Sequence, residues 1–580
     1  MIWKLKQRQQ QWLTLERGAI LKDWGGKVPV ALAFPNRYAV GMSSLGLQSV
    51  YGFMNGLDTV VCERVFYPEP EDLPLVRQHP GHLLSVESQR PLNDFELLAF
   101  SVAFENDYPN LVEMLVMAGF PPYCQDRPAT FPLVAAGGIA ACLNPETLAP
   151  FIDFFFVGEA EILLPAFWQA WHAHRDRNQN RRDLLRHLAR EVPGIYVPSF
   201  YEATYHRDGT LEAVKAVADV PQRIAYQRAD LTHTTPCRTV VFTPKTEFSN
   251  VGLLEIGRGC GRGCRFCAAG FVCRPPRYHS REKLIPAAQS GMERTTRIGL
   301  LSAAVSDHPE IAPMCRSLMD CGASLSFSSV RADSVTPELL AALKLSRHKA
   351  IAIAPDAGSE RLRQVINKNL SADQIYSTVE KLVEAGILNL KLYFMIGLPT
   401  ETLDDLEAIV DLTKRIKHHV LQKSRGQKRL GTITLSVNAF VPKPFTPFQW
   451  EPFAGVKQIK ERAGWIKKAL RKIPNVRVHF DLAKWAYLEA LFTRGDRRVA
   501  LFLEEMAVRG SSLSRVLQTA PFNPDFWVLR QRVQDELFPW EIIDHGLNRS
   551  YLWDEYQRAL QGKSSVACQP ENCRRCGVCG

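Results

Sequence analysis

Three cysteines in a glycine-rich loop are the residues of this sequence whose spacing most clearly indicates chemistry. Cys260, Cys264 and Cys267 have the spacing C-x3-C-x2-C and follow the apolar run 252–256. Thiolates at this spacing reach one small inorganic centre if the chain folds back, and the four glycines in 257–263 supply that freedom. A cubane iron–sulfur cluster is commonly held by four thiolates, so three leave one iron open for a substrate or cofactor. Zinc sites usually pair two C-x2-C units or add histidines, and neither lies nearby.

A second group of cysteines lies at the C-terminal end. Cys568, Cys573, Cys576 and Cys579 have the spacing C-x4-C-x2-C-x2-C, which can close around one metal centre. A full thiolate set suits a second iron–sulfur cluster or zinc, and a flexible redox tail is the third interpretation. Closed coordination would make this centre structural or electron-relaying, not substrate-activating.

The composition is that of an ordinary globular protein. The chain has 580 residues, enough for three or four domains, with 46% hydrophobic and 23% charged residues. The net charge of +11 permits an anionic partner such as nucleic acid, but the basic residues are spread along the chain, which favours solvated surface.

The sequence also indicates a compartment. The N-terminal residues lack the apolar core of a signal peptide, and no apolar run approaches the ~20 residues of a membrane span. We therefore expect a cytoplasmic protein without a membrane span. Its 14 cysteines are then interpreted as reduced thiols and cluster ligands rather than disulfides.

The elements that must position these groups form two alternating series. In residues 27–171, apolar strands alternate with helical stretches, which predicts a doubly wound, Rossmann-like parallel sheet. The predicted strands are 28–34, 95–101, 131–136 and 151–157, and the predicted helices are 46–57 and 109–118. Ligands bind such sheets beyond the strand C-termini, so we expect a ligand at the turn 35–46, which contains Gly41 and Ser43.

The second series begins at residue 252 and carries the cysteine loop after its first strand. The predicted strands are 252–256, 297–301, 324–329, 350–354, 390–397 and 432–441. Helices separate them, and one begins at the capping box Ser371–Gln374. Six such units fit a partial (β/α)6 barrel whose site lies at the strand C-termini, on the same face as the cysteine loop.

The fold class predicted for the chain is α/β, with a mostly helical C-terminal domain and a cysteine-rich tail. Helical periodicity in 458–472 and 498–508 predicts the helices of that domain. The basic segment 423–429 is interpreted as a solvated insertion, with nucleic-acid contact as the less favoured alternative. The predicted segments are 1–172 (Rossmann-like domain), 173–245 (linker), 246–452 (barrel core), 453–560 (helical domain) and 561–580 (tail).

The cysteine loop resembles that of the radical S-adenosylmethionine (SAM) superfamily, including the aromatic Phe266 directly before the third cysteine. The resemblance implies a 4Fe–4S cluster on Cys260, Cys264 and Cys267, with SAM chelating the fourth iron through its amino and carboxylate groups. Electron transfer then cleaves SAM to methionine and a 5′-deoxyadenosyl radical. A reducing partner such as flavodoxin or ferredoxin is also implied.

Further positions resemble the SAM contacts of that superfamily. Ser302 lies where the second strand meets the SAM amino group, and Ser329 and Arg331 lie where polar side chains meet its carboxylate or ribose. Asp356 is similarly implied at the ribose hydroxyls, and Gly397 in the strand that packs on adenine. The alternative is that these residues only cap helices or anchor loops.

The N-terminal series is similar to the cobalamin-binding domain that precedes the core in one large subfamily. Its D-x-H-x-x-G motif supplies a histidine to cobalt, but Asn36 and Tyr38 stand at the first two positions here. The resemblance implies cobalamin bound without this histidine, or a domain that has lost cobalamin; a Rossmann-like domain used for packing or another ligand is the alternative. The cofactor positions it implies are Gly41, Ser101, Gly137 and Gly138.

Taken with the tail, residues 258–270 resemble a branch of this subfamily that ends in a cysteine-rich segment. The function predicted is cobalamin-dependent methyl transfer to an unactivated carbon by a radical SAM enzyme. A cobalamin-independent enzyme, performing methylthiotransferase-like sulfur insertion or a rearrangement, is the second hypothesis. A non-catalytic iron–sulfur redox protein is the third, and would need a fourth ligand such as Cys273. Neither the substrate nor a catalytic residue is predicted.

Overall fold

The computed structural model describes residues 2–175, 180–327, 329–346, 348–424, 431–511 and 513–579. Within these ranges, the chain has no helix long and apolar enough to cross a membrane. Residues 425–429 of the predicted basic insertion lie outside the described residues.

The N-terminal sheet has the strand order β2-β1-β3-β4-β5-β6, and its neighbours are parallel except β5 and β6. Its strands are β1 (Val28–Phe34), β2 (Val60–Phe66), β3 (Leu97–Ser101), β4 (Leu133–Gly137), β5 (Phe154–Phe156) and β6 (Ile195–Tyr196). Every residue of β1 and β2 is buried, as expected for strands whose two faces are covered by helices. The Rossmann-like prediction is confirmed, and β6 extends the sheet past residue 172, where the predicted domain ends.

Helices flank this sheet. They are α1 (Ile2–Leu15), α2 (Tyr38–Met42), α3 (Leu45–Gly56), α4 (Leu73–Gln78), α5 (Tyr108–Met117), α6 (Ile139–Leu143), α7 (Ala160–Arg175) and α8 (Arg181–Glu191). Helix α3 begins after Ser44, whose hydroxyl accepts a hydrogen bond from the Leu47 N–H. Helix α5 is followed by Gly119 at φ +76°, a left-handed conformation that favours glycine.

The segment that joins the two sheets is structured. Strands β7 (Tyr201–Tyr205) and β8 (Leu211–Ala216) form an antiparallel hairpin. Strand β9 (Ile224–Ala225) pairs in parallel with Ile543–Asp544 near the C-terminus. The predicted linker therefore connects the N-terminal sheet to the C-terminal region.

Seven parallel strands, counted in the described part of the chain, form an open barrel in two arcs, β10-β13-β14 and β15-β16-β17-β18. A parallel bridge between Val330 and Ile353 joins the arcs, and β11 and β12 form a small antiparallel pair. The strands are β10 (Gly252–Glu255), β11 (Gly257–Arg258), β12 (Arg277–Tyr278), β13 (Arg297–Leu301), β14 (Ser324–Phe327), β15 (Ala350–Asp356), β16 (Asn389–Ile396), β17 (Ile433–Ala439) and β18 (Val476–Phe480). All six predicted barrel strands are present. The seventh, β18, lies past residue 452, where the sequence predicts the core to end.

The barrel helices follow the predicted alternation. They are α9 (Ala269–Val272), α10 (Arg281–Met292), α11 (Ile311–Asp320), α12 (Pro337–Leu345), α13 (Glu360–Val365), α14 (Ala372–Glu384), α15 (Leu403–Lys423) and α16 (Val456–Leu470). The capping box predicted for α14 is formed by Ser371 and Gln374, each side chain bonding the other residue's backbone N–H.

The C-terminal region is mostly helical, as predicted, and packs on the N-terminal sheet as well as the barrel. Its elements are α17 (Ala483–Arg494), α18 (Ala500–Ala507), α19 (Leu513–Thr519), α20 (Asp525–Val528), β19 (Ile543–Asp544) and α21 (Arg549–Leu560). Asn144 donates to the carbonyls of Thr493 and Gly495 at 3.1 and 2.8 Å, and Arg497 pairs with Glu146 at 2.7 Å. These buried contacts fix one face of the N-terminal domain against the helices.

Candidate functional site

The cysteine loop lies at the C-terminal end of β10, between the paired strands β11 and β12. Its path depends on Gly259, which has φ +79°. A Cβ at this position would lie 2.3 Å from the Cys273 carbonyl oxygen. Gly263 also has a positive φ, +73°. The two left-handed glycines let the chain turn back twice within one short loop, as the sequence predicts.

The structure brings the three predicted cluster cysteines together. The Cys267 N–H donates to the Cys264 carbonyl at 3.0 Å, and the Arg262 N–H donates to Cys260 Sγ at 3.5 Å. Burial raises the pKa of Cys260, and raises that of Cys267 to about 12, with the neighbouring thiols adding to both shifts. Since burial disfavours free thiolates here, binding of a cation that accepts them would release protons.

Cys273 does not join this group. It lines the cavity described below, and the charges that act on its thiol are those of Glu159, Arg277, Arg228 and Arg258 rather than those of the loop thiols. Burial, with the charge of Glu159, raises the pKa of Cys273 to about 11. The fourth ligand required by the redox-protein hypothesis is therefore not supplied by Cys273.

Two of the predicted SAM contacts lie in a charged network beside the cysteines. Arg331 forms an ion pair with Asp333 at 3.0 Å, and Asp356 with Lys368 at 2.6 Å. Burial opposes the charge of Lys368, but Asp356 outweighs it and raises the pKa of Lys368, which stays protonated. Both cations lie close enough to Cys264 for electrostatic interaction. Lys368 was not predicted, because a lone lysine far along the chain carries no local signal.

The other predicted SAM residues have different surroundings. Gly397 has φ +82° and packs against Ile459 of α16, whose Cδ1 would lie 2.7 Å from a Cβ at position 397. The Gly397 N–H donates a hydrogen bond to the Glu401 carboxylate at 3.0 Å. Phe266 is half-buried against the core, whereas Ser329 is exposed. Ser302 lines the cavity described next.

A cavity of about 570 Å³ lies between the C-terminal edge of the N-terminal sheet and the cysteine loop. Leucine, valine, methionine and phenylalanine side chains make much of its wall. Among its lining residues are the predicted positions Ser101, Gly137, Gly138 and Ser302, together with Arg258 of the cysteine loop. One cavity therefore joins the strand ends of both sheets, which is the position expected for ligands of parallel sheets.

A polar corner of this cavity is organised around Arg258. Its guanidinium contacts Glu161 at 2.6 Å, Glu255 at 2.7 Å and Glu159 at 2.8 Å. Burial alone would raise the pKa of Glu161, but its bonds to Arg258 outweigh burial and lower it to about 2. The Cys237 thiol donates to Glu161 at 3.2 Å, and burial raises the pKa of Cys237, which stays protonated. Sequence reasoning missed this corner because its members are spread over 159–258.

The turn predicted to hold a ligand reaches the cavity only through its last residues, Leu45 and Gly46. Tyr38, at the histidine position of the cobalamin motif, stacks on Trp12 of α1 with ring centroids 4.3 Å apart and donates to Glu16 at 2.6 Å. At Gly41 a Cβ would lie 2.4 Å from Phe66. Ser43 donates to the Ala39 carbonyl at 2.7 Å and accepts from the Glu247 N–H at 2.9 Å. Gly41 therefore allows close packing on Phe66, and Ser43 serves loop contacts.

The tail cysteines lie close to one another and to the cysteine loop. Charges on Cys573, Cys576 and Cys579 all act on the Cys568 thiol. The Cys568 N–H donates to the Gly261 carbonyl at 2.6 Å. The structure thus brings the two predicted cysteine groups side by side.

Comparison with protein families gives two matches. The model for the N-terminal region of radical SAM proteins matches residues 46–198, and the model for the radical SAM superfamily matches residues 254–413. The second match begins within β10 and includes the cysteine loop and the strands from β11 to β16. An uncharacterised protein of Methanocaldococcus jannaschii is 29% identical over 486 residues, which are 82% of this chain and 90% of that protein.

Solved structures similar to this chain include two enzymes. TsrM from Kitasatospora setae, a radical SAM methyltransferase solved with cobalamin and a [4Fe-4S] cluster, has a TM-score of 0.48 and 12% identity over 76% of this chain and 79% of its own. OxsB, a cobalamin-dependent SAM radical enzyme solved with aqua-cobalamin, has a TM-score of 0.43 and 17% identity over 67% of this chain and 52% of its own.

Proposed function

We propose that this chain, which belongs to the radical SAM superfamily, directs a 5′-deoxyadenosyl radical to a carbon atom of a substrate held in the cavity between its two sheets. The chain is a radical SAM enzyme, and the cofactors of that superfamily are a 4Fe–4S cluster and SAM. The observation that carries the proposal is the continuity of the cavity, which begins at Gly257, Arg258 and Gly259 beside the cysteines and ends at Gly137 and Gly138 of the N-terminal sheet.

The residues present suit these cofactors. Cys260, Cys264 and Cys267 supply three thiolates, which would leave one iron of a cubane open. When bound, the cluster supplies the electron that cleaves SAM to methionine and the radical. Lys368 and Arg331 hold positive charge near Cys264, which favours a carboxylate at the open position.

The cavity wall and its polar corner have distinct roles. Apolar side chains exclude water from a space in which a carbon radical must survive. Arg258 keeps the carboxylates of Glu159, Glu161 and Glu255 paired and oriented, so their remaining lone pairs can accept hydrogen bonds from a bound molecule. Cys237 presents a protonated thiol at the same corner.

The finer proposal is methyl transfer with cobalamin in this cavity. Ser101 and the Gly137-Gly138 turn would hold it at the strand ends, where Gly138 at φ +104° allows the backbone to approach a ligand closely. When bound, cobalamin supplies a methyl group to the substrate carbon. No histidine occurs among the described residues that line the cavity, and Tyr38 is packed on Trp12, so cobalt would receive no imidazole from this motif.

A cobalamin-independent radical enzyme is the second candidate. The packing of Tyr38, Gly41 and Ser43 away from the cavity favours it, because three positions of the cobalamin-type turn would then contribute nothing to a cofactor. In that case the cavity holds the substrate alone. Sulfur insertion or a rearrangement would be the reaction class.

Cobalt content separates the two candidates. The protein would be expressed anaerobically in cells supplied with cobalamin, purified, and its cobalt per chain and optical spectrum measured. Near-stoichiometric cobalt with a corrinoid spectrum supports methyl transfer. Iron without cobalt would contradict the cobalamin proposal and leave the radical SAM reaction itself in place.

A further inference from the structure

The geometry points to a second iron–sulfur cluster in the four-cysteine tail, which passes electrons to the cluster of the cysteine loop. The tail is defined here as residues 561–579. The identity of its metal is independent of the proposed function, whereas its role as a relay rests on that function. Four observations carry the inference: backbone contact, shared arginines, thiol spacing and exposure.

The first observation is direct backbone contact between tail and loop. The Cys568 N–H donates to the Gly261 carbonyl at 2.6 Å, and Gly261 follows Cys260 in the chain. A Cβ at residue 261 would lie 3.1 Å from the Cys568 carbonyl oxygen, a tight contact. Glycine at this position therefore lets one ligand residue of each group approach the other.

The second observation is that residues of the loop region anchor the tail. Arg265, which is fully buried, donates to the Lys563 carbonyl at 2.7 Å and to Ser565 Oγ at 3.2 Å. Asn367 bridges the two segments, since it donates to the Gly263 carbonyl at 3.1 Å and accepts from the Ser565 N–H at 2.8 Å. Tail and cysteine loop thus share one buried hydrogen-bond network.

A third residue, Arg274, lies between the two cysteine groups and is only 3% exposed. It donates to the Gly270 carbonyl at 2.7 Å and to the Tyr551 hydroxyl at 3.2 Å, and its guanidinium interacts with the Cys576 thiol. A buried cation at this position reduces the repulsion between two anionic thiolate-bound centres.

The third observation is the spacing of the tail thiols. A tetrahedral zinc with Zn–S bonds of ~2.3 Å places its thiolates roughly 3.8 Å apart. Among the described residues, the one group with three or more metal-binding atoms within 4.8 Å of one another is Glu161, Cys237 and Glu255, and the tail cysteines are not such a group. The tail thiols interact electrostatically, but no three of them lie within 4.8 Å of one another, and the same is true of Cys260, Cys264 and Cys267. This spacing is wider than a single zinc ion requires and suits a larger cluster.

The fourth observation is the exposure of the tail. The cysteines themselves are alike, since Cys568, Cys573 and Cys579 are half-buried as Cys260 and Cys267 are. The residues around Cys573 differ, because 571, 572, 574 and 575 are exposed, whereas no residue from 260 to 268 is. An external electron carrier therefore reaches the tail before the cysteine loop. In the proposed step a low-potential one-electron protein donor, of the flavodoxin or ferredoxin class, loses one electron to the tail cluster. The tail cluster passes that electron to the loop cluster and returns to its oxidised state, and no proton or group is transferred.

Metal analysis of two multiple variants tests the cluster. The tail variant replaces all four tail cysteines by serine, and the loop variant replaces Cys260, Cys264 and Cys267 by alanine. The control is Cys321→Ser, at an exposed cysteine outside both groups. Four thiolates hold either a [4Fe–4S] or a [2Fe–2S] cluster, so after anaerobic reconstitution we expect about eight or about six irons in the parent and control. About four should remain in the tail variant, and about four or about two in the loop variant. One zinc per chain that is lost with the tail cysteines would overturn the inference, as would a parent with about four irons. If the tail variant fails to fold, the loop variant still tests the tail cluster, because iron bound to the loop variant must be held by the tail cysteines.

Reduction kinetics test the relay. Reduced flavodoxin would be mixed anaerobically with the parent, Cys321→Ser and the tail variant, and the loop cluster followed by electron paramagnetic resonance after rapid freezing. We expect the tail variant to lose reduction by flavodoxin while dithionite, a small reductant, still reduces its loop cluster. Equal rates with flavodoxin in all three proteins would overturn the relay. Failure of the radical SAM proposal has a different signature, because it would abolish 5′-deoxyadenosine formation in the parent itself.

Discussion

The side chains of Asp356 and Lys368 form a buried ion pair, 2.6 Å apart, next to Cys264. Asp356 ends β15 with φ +64°, a left-handed conformation that is uncommon for residues other than glycine. The lysine comes from the segment between α13 and α14, so the pair links the end of β15 to the helices that follow it. Breaking a buried ion pair lowers the stability of a protein. Because this pair lies beside the cysteines, we expect its loss to weaken cofactor binding as well.

Lys368→Met is expected to lower both stability and SAM affinity. Removing one partner of a buried ion pair costs about 3–5 kcal/mol, because the remaining charge is unpaired. Thermal unfolding and equilibrium dialysis with labelled SAM would measure the two effects. The double variant with Asp356→Asn should recover much of the stability but not the SAM affinity.

The control is Lys344→Met, at an exposed position on α12. It should leave both quantities unchanged. A Lys368→Met protein as stable as the parent, with unaltered SAM binding, would contradict the role assigned to the pair.

Gly138→Ala is expected to displace the turn at the sheet end of the cavity. The Cβ would lie 2.5 Å from the Val102 carbonyl oxygen at φ +104°, so the turn must move. We expect a loss of stability of roughly 1–3 kcal/mol and a fall in bound cobalt per chain. Gly56→Ala, where a Cβ meets nothing within 4 Å, is the control. Full cobalt retention in Gly138→Ala would show that the Gly-Gly turn does not touch the cofactor.

His545→Phe is expected to reduce the acid sensitivity of folding. The imidazole is packed between Tyr226 and Phe445, with ring centroids 4.7 and 4.4 Å away, and burial lowers the pKa of His545 from 6.5 to about 3. Between pH 6.5 and about pH 3, His545 binds a proton in the unfolded chain but not in the folded chain. The free energy of unfolding therefore falls as the pH falls. Phenylalanine should lower this slope by up to about 1.4 kcal/mol per pH unit.

Denaturant unfolding between pH 4.5 and 7.5 would measure the effect, and an identical slope in the variant would contradict it. His233→Phe is the control, because this histidine is exposed. It should leave the slope close to that of the parent.

The fold was largely predictable where strands are continuous apolar runs. Strand β1 has the predicted bounds, because its seven residues are all buried and end at a proline. Strand β2 was missed since Glu63 and Arg64 interrupt its apolar run. Arg64 is buried there because Glu16 and Glu87 pair with it at 2.6 Å, and those partners are distant in sequence. Strand β18 was missed because its alternating pattern stands in a region that otherwise has helical periodicity.

The site was predictable where local spacing carries the chemistry. The three cysteines of the loop and the Gly137-Gly138 turn could be found from the sequence because each group lies within one short segment. The surroundings of Tyr38, Gly41 and Ser43 could not, since they depend on Trp12, Phe66 and Glu247, which are distant in sequence. The polar corner around Arg258 depends likewise on contacts between two domains.

The most direct test of the central claim is 5′-deoxyadenosine formation from SAM. The parent, Cys321→Ala and the variant with Cys260, Cys264 and Cys267 replaced by alanine would be reconstituted anaerobically with iron and sulfide, reduced with dithionite and assayed by mass spectrometry. The account predicts 5′-deoxyadenosine and methionine from the parent and the control, and neither product above background from the triple variant. Product from the triple variant at the parent's rate would contradict the assignment of the cysteine loop as the radical-generating site.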